Sequence, residues 1–273
     1  MRLFFYAYDS TYFYKMKRGA GMLVLMIACS ISIAQIHVEK LVIKAKQKYL
    51  FGQSDIVVAD TLIMEDSSSI VLNRIKKENY LHSKLTIIGN HCFIDGSGLD
   101  GKPGSAGLAG NSPIGPCKSG ANATPGKDGI DGSAGVNLFL YLEKVVAKNA
   151  LVVQLGGGNG GNGGKGGEGG SGTSGTVHCK GGNGGVGGNA GNGGNGGNGG
   201  TLTIHCPSSL KELMDKKFTV KNLGGTFGKG GRGGYRGSAG LGPSGKIGRP
   251  GMPGTEGVDG QLGKNGTFST VLH

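Results

Sequence analysis

Short apolar runs punctuate the first part of the chain at residues 41–43, 56–59, 62–64, 70–72, 85–88 and 92–94, each closed by Asp, Asn, Ser, Lys or Gly. Runs this brief do not carry the stripe of an amphipathic helix; they predict successive strands of a sheet or the turns of a parallel β-solenoid over residues 38–95. An antiparallel sandwich fragment is the alternative. Further on, strand-like segments recur at 136–142, 150–155, 201–205, 218–223 and 267–272, with long glycine tracts between them. One short helix is expected within 207–217, where Pro207 suits a first turn and Ser209 with Glu212 reads as a capping box.

Inside the tracts glycine recurs every third residue. Gly98 to Gly110 and Gly126 to Gly135 keep a single-glycine GXX period, residues 157–170 double it to GGX, and Gly182 to Gly200 hold the phase throughout. The last two tracts, 225–240 and 242–266, are separated by a phase break at Leu241-Gly242-Pro243. The order is strand, rod, turn, rod, strand, three times over. It predicts three hairpin-like excursions, 97–135, 156–200 and 224–266, rising from a β base. The domain organisation follows as a leader (1–34), an N-terminal β unit (35–96) and a glycine-repeat region (97–273).

A left-handed extended helix has three residues per turn and rises about 3.1 Å per residue, so every third side chain lies on one edge. Glycine on that edge admits another backbone. A collagen trimer and a bundle of polyglycine-II rods from one chain both exploit this. The chain has only eight prolines, its tracts are short and out of phase, and a second glycine per turn adds nothing to a collagen triple helix. GGX suits an interior rod with one exposed row, and GXX an outer rod with two. Residues 157–200 are therefore expected at the centre, with 98–135 and 242–266 flanking. A flexible linker is the competing reading of any glycine-rich segment, but a linker has no need of phase. The expected fold class is β strands, solenoid-like, at the base, with a bundle of about six polyglycine-II rods and little or no α-helix.

These phased rods resemble the polyglycine-II bundles of snow flea antifreeze proteins and of the tail-tip adhesins of some bacteriophages. The flanking GXX tracts, as in Gly248-Arg249-Pro250-Gly251-Met252-Pro253-Gly254, are also similar to bacterial collagen-like proteins. The resemblance covers residues 97–266 and is one of repeat type. It implies a fold and a non-enzymatic role, binding ice in one case and a cell-surface receptor in the other.

The N-terminus reads as an export signal. Lys15, Lys17 and Arg18 precede an apolar stretch that ends Ser32-Ile33-Ala34, a small-x-small cleavage pattern, and Met16 offers a second start. Cleavage after Ala34 is preferred to lipoprotein anchoring at Cys29. Loss of residues 1–34 removes four basic residues and one acidic residue, so the formal charge of +12 becomes +9. A positive surface suits nucleic acid, anionic lipid or acidic polysaccharide; export disfavours nucleic acid, and no membrane span is expected once the signal is gone. A secreted or cell-surface location follows, with the periplasm as an alternative, and a monomer is favoured over a collagen-like trimer.

Motifs for chemistry are weak. Gly156-x-Gly158-x-x-Gly161 follows a strand, but glycine continues where a dinucleotide fold needs a helix. Asp128 and Asp131 read as a local, solvated pair. The dipeptides His91-Cys92, His178-Cys179 and His205-Cys206 invite a zinc reading, yet neighbours on a strand point to opposite faces. No catalytic, cofactor or metal site is therefore assigned. Cys92, Cys117, Cys179 and Cys206 allow three pairings. With Cys117 and Cys179 at the tips of two excursions and Cys92 and Cys206 at the base, the geometry predicts Cys117 with Cys179 and Cys92 with Cys206.

The function expected is that of an exported, non-enzymatic structural or adhesin-like protein that binds an extracellular glycan, protein or matrix. Its candidate binding row is Asn183, Val186, Asn189, Asn192, Asn195 and Asn198, spaced by about 9.3 Å. An ice-binding protein, a collagen-like trimeric filament and a β-solenoid polysaccharide-active enzyme are the other readings.

Overall fold

The computed structural model describes residues 35–273; the expected export signal, with both candidate start sites and Cys29, lies outside the described residues. The chain alternates between two parallel sheets. In chain order the strands are β1 (Gln35–Ile43), β2 (Lys48–Leu50), β3 (Ile56–Met64), β4 (Ser69–Val71), β5 (Glu78–Ile88) and β6 (Phe93–Asp95). They continue as β7 (Asn137–Ala147), β8 (Leu151–Gln154), β9 (Leu202–Cys206), β10 (Phe218–Lys221) and β11 (Phe268–Leu272), with one short helix, α1 (Lys211–Lys217). Odd-numbered strands form a six-stranded sheet and even-numbered strands a five-stranded one, each stacked in order of sequence. Every pairing is parallel, which rules out the antiparallel sandwich and makes each odd–even pair one turn of a solenoid.

Period-two alternation builds the interior. In β3, Val57, Ala59, Leu62 and Met64 are buried, and the alternation slips at Asp60 and Thr61, which lie side by side outside the core. Stacked equivalents fill the same interior column: Val57, Leu81, Leu140 and Ile204 from the first sheet, facing Ile70, Ile94 and Val153 from the second. Lys46, Ser67 and His91 occupy the same corner in three successive turns. All three have positive φ, of 62°, 60° and 54°, a left-handed kink that takes the chain from one sheet to the other. The N-terminal β unit does not close at residue 96, because β7 pairs directly with β5 and β8 with β6.

The expected helix is present but its start differs. A 3-10 turn at Ser208–Leu210 leads into α1, and neither has a side-chain cap bond. The capping box of Ser209 and Glu212 is not formed; Glu212 instead pairs with Lys216 one turn on.

Glycine tracts replace the corner from second to first sheet in the last three turns. Tract I (96–112) leaves β6 and tract II (119–136) returns to β7; tracts III (156–175) and IV (181–200) join β8 to β9; tracts V (222–242) and VI (246–267) join β10 to β11. None contains strand, yet they lie side by side with backbone hydrogen bonds at every third residue. Outgoing tracts are parallel neighbours, as where Gly101 N–H donates to Asn159 O and Gly160 N–H to Thr226 O. Returning tracts are likewise parallel, Gly129 N–H donating to Asn192 O and Gly193 N–H to Val258 O. Antiparallel bonds tie the two layers: Ile130 N–H to Lys102 O, Gly161 N–H to Ile130 O, Gly194 N–H to Gly161 O, Gly228 N–H to Gly194 O and Gly260 N–H to Gly228 O. Tracts III and IV are each bonded to all their neighbours in both layers, so residues 157–200 are innermost.

Candidate functional site

Non-glycine residues of tract IV project from the bundle. Val186, Asn189, Asn192, Asn195 and Asn198 are exposed and Asn183 is half-buried. The asparagine amides are not free rotors. Their Oδ1 atoms accept backbone N–H groups of tract VI: Asn183 from Arg249 at 2.8 Å, Asn189 from Thr255 at 3.0 Å, Asn192 from Val258 at 2.9 Å, Asn195 from Gln261 at 2.9 Å and Asn198 from Lys264 at 2.8 Å. In tract VI neighbouring backbone accepts the glycine N–H groups, and where an asparagine stands opposite, its amide oxygen takes the N–H of the residue that follows the glycine. The device recurs across the bundle. Asn159 and Asn162 serve tract V, and Asn122, Asp128 and Asp131 serve tract IV. Asp128 and Asp131, expected to be simply solvated, thus have a bonding role. With Oδ1 engaged, the Nδ2 groups of Asn183, Asn189, Asn192 and Asn198 donate to no other group among the described residues, whereas Asn195 Nδ2 reaches Asp131 Oδ2 at 3.3 Å.

The cysteines divide. Cys117 and Cys179 form a disulfide between the far ends of the first two excursions. Cys92 and Cys206 do not pair; both are free and buried, which corrects the expected base bridge. Both belong to the solenoid wall rather than to the bundle. The Cys92 Sγ sits at the β5–β6 corner against the Glu65 carbonyl at 3.2 Å, while Cys206 ends β9, two turns further along the stack. Burial raises the Cys206 thiol pKa. As strand geometry requires, His205 is half-exposed while Cys206 is buried.

No protein family, curated protein or solved structure matches this chain.

A second surface, which the sequence reading missed, is the outer face of the first sheet. Tyr80 stacks on Phe139 with centroids 4.9 Å apart, and Tyr141 stacks on His205 at 4.4 Å with His82 edge-on below it at 6.1 Å. Its signal was present as the recurring pair of outward positions Tyr80-x-His82, Phe139-x-Tyr141 and Thr203-x-His205, which parallel register brings into columns. Carboxylates rim the rings. The Tyr80 hydroxyl donates to Glu78 at 2.8 Å, which raises its pKa, and His82 Nε2 lies 3.4 Å from Glu143. Lys84 bonds Asp60 at 2.8 Å, lowering the carboxyl pKa and raising that of the amine. Ile56, Tyr80, His82 and Tyr141 bound a shallow hollow of about 300 Å³. The stacked rings face one another and show mainly their edges, so the ladder braces the solenoid wall more than it offers aromatic faces.

Among the described residues no group of three or more His, Cys, Asp or Glu side chains is placed to hold a metal ion. A groove of about 660 Å³ runs where the bundle meets the second sheet, past Ser97, Gln154, Lys221 and Asn222.

Proposed function

We propose that this protein is an exported, non-enzymatic scaffold of adhesin-like character, whose six tracts are polyglycine-II-type rods and whose ligand is an extracellular glycan, protein or matrix. The observation that carries the reading is the asparagine row. Each amide is fixed by its own Oδ1 bond to tract VI, so its Nδ2 donor is oriented before a ligand arrives, and pre-organised groups lose little freedom on binding. The amides left for a ligand, at Asn183, Asn189, Asn192 and Asn198, are separated by about 18.6, 9.3 and 18.6 Å along the tract, whole multiples of one turn that suit a ligand that itself repeats, with acceptor oxygens, as polysaccharides do. The tracts satisfy one another within one chain, which favours a monomer over a collagen-like trimer. The disulfide is in keeping with an oxidising compartment, and no helix among the described residues is long and apolar enough to cross a membrane.

The test is binding to an immobilised panel of glycans and matrix proteins by the protein and by its Asn189→Asp/Asn198→Asp variant. Aspartate keeps the acceptor that holds tract VI but lacks the amide donors. Retained melting temperature with lost binding is expected. Unchanged binding would remove the row from the function, and turnover of a polysaccharide in the panel would overturn the non-enzymatic reading.

A further inference from the structure

A line of hydrogen bonds crosses the bundle near its far end: Ala121 N–H to Asn111 O, Gly170 N–H to Ala121 O, Gly185 N–H to Gly170 O, Gly237 N–H to Gly185 O and Gly251 N–H to Gly237 O. Beyond that line lie residues 112–120, 171–184 and 238–250. They contain Lys118, Lys180, Lys246 and Arg249 and neither Asp nor Glu, and all four cations are exposed. None of the ion pairs among the described residues involves them. Charges that looked scattered singly along the sequence are thus collected at one end without a compensating anion.

The same end exposes aliphatic side chains that the fold does not use. Ile114 is 91% exposed, Leu241 70%, Val177 68% and Ile247 52%, and they come from all three turns. The turns are held together. The Cys117–Cys179 disulfide and the Cys117 N–H to Ser174 O bond at 2.8 Å join the first to the second. Gly175 N–H to Leu241 O at 2.7 Å and Gly181 N–H to Lys246 O at 2.9 Å join the second to the third.

We propose that this distal end docks on the surface of an anionic phospholipid bilayer, its cations against headgroup phosphates and its aliphatic side chains in the interfacial layer. A sulfated or uronic polysaccharide would use the cations but has no place for the aliphatic groups, whereas a bilayer interface takes both. Because the turns are cross-linked, the side chains are already displayed together. The inference needs only tracts that lie side by side, and stands whether or not the asparagine row binds a ligand.

Co-sedimentation of the protein with phosphatidylcholine vesicles, with and without phosphatidylglycerol, tests it. Binding is expected only with phosphatidylglycerol and should weaken with salt. A cation beside an anionic leaflet is worth about fivefold in partitioning, so Lys118→Glu/Lys246→Glu/Arg249→Glu should bind at least about a hundredfold more weakly. The chain has no tryptophan, so Ile114→Trp supplies a single reporter whose emission should shift to the blue on the vesicles. Replacing Ile114, Val177, Leu241 and Ile247 by Ser should weaken vesicle binding by about tenfold or more while leaving retention on dextran sulfate unchanged. All these side chains are exposed, and an unchanged circular dichroism melt confirms that each variant is folded. Equal binding to both vesicle types, binding that survives charge reversal, or an unshifted tryptophan would overturn the proposal. Vesicle binding indifferent to the serine replacements would also overturn it, in favour of a soluble polyanion.

Discussion

The Gly166→Ala substitution probes whether the tracts touch as described. A Cβ at Gly166 would lie 2.5 Å from the Gly188 carbonyl carbon, nearer still to its oxygen, and 2.8 Å from Gly234 N. Backbone of tract IV on one side and tract V on the other leaves no flexible side chain to yield. The methyl must push the tracts apart by more than an ångström, at the expense of bonds such as Gly166 N–H to Arg232 O at 2.9 Å and Gly188 N–H to Gly167 O at 2.8 Å. Overpacking of this kind costs about 1–3 kcal/mol, and the smaller unfolded-state entropy of alanine returns about 0.4–1 kcal/mol. The net is a loss of about 1–2 kcal/mol, or roughly 2–8 °C in melting temperature for a chain of this length. Gly156→Ala is the control. Its Cβ would meet only the Leu223 oxygen, at 3.3 Å, so a change within about 0.5 kcal/mol is expected. The chain itself shows that one methyl can be housed, since Ala190 sits in the row of Gly187 and Gly193 and still donates to Thr255 O at 2.9 Å. Three methyls in line should not be. Gly163→Ala/Gly166→Ala/Gly169→Ala is expected to lose the bundle, read as rapid amide exchange throughout residues 156–200. Thermal melts followed by circular dichroism decide the matter. If Gly166→Ala and Gly156→Ala melt together, the tracts are not packed backbone to backbone in solution.

Reduction, or Cys117→Ser/Cys179→Ser, should lower stability by up to about 4 kcal/mol, the chain-entropy value for a bridge spanning 62 residues, measured by urea unfolding with and without reductant. Asn192→Ala should speed hydrogen exchange at the Val258 amide, whose acceptor is Asn192 Oδ1, while Asn192→Asp leaves it protected; equal exchange in both would show that the amide oxygen does not hold tract VI. Asp66 accepts the Asn90 backbone N–H at 2.8 Å and its side-chain amide at 3.1 Å, bonds that hold its carboxyl pKa below the usual value. Its contribution is therefore fully present above about pH 4 and lost as pH falls through the lowered folded value. Asp66→Asn should flatten the acid limb of the stability profile below about pH 4, and an unaltered limb would refute that assignment.

The sequence by itself determined the local geometry. Short period-two runs such as 56–59 and 62–64 demand strands, and a three-residue glycine phase leaves a bare edge that only a neighbouring backbone can fill. From these came the expectation of three excursions and of a bridge between Cys117 and Cys179, placed at comparable distances along the first two of them; the structure forms that disulfide. What the sequence could not disclose was pairing across long intervals. That β7 stacks on β5, with residues 89–136 between them in the chain, depends on burial shared by Leu81 and Leu140, which no local pattern encodes. The aromatic columns of Tyr80 with Phe139 and Tyr141 with His205 exist only once that register is set. The same is true of the cysteines at the base. Cys92 and Cys206 are both near it, but they lie at a corner and at a strand end separated by two turns of the solenoid, a distance set by the stacking of the sheets. Nor does composition reveal that the Asn192 side chain closes a bond on Val258 N–H, or that lysines far apart in sequence meet at one end of the bundle. Those contacts join residues of different excursions, and only the three-dimensional packing decides which excursions are neighbours.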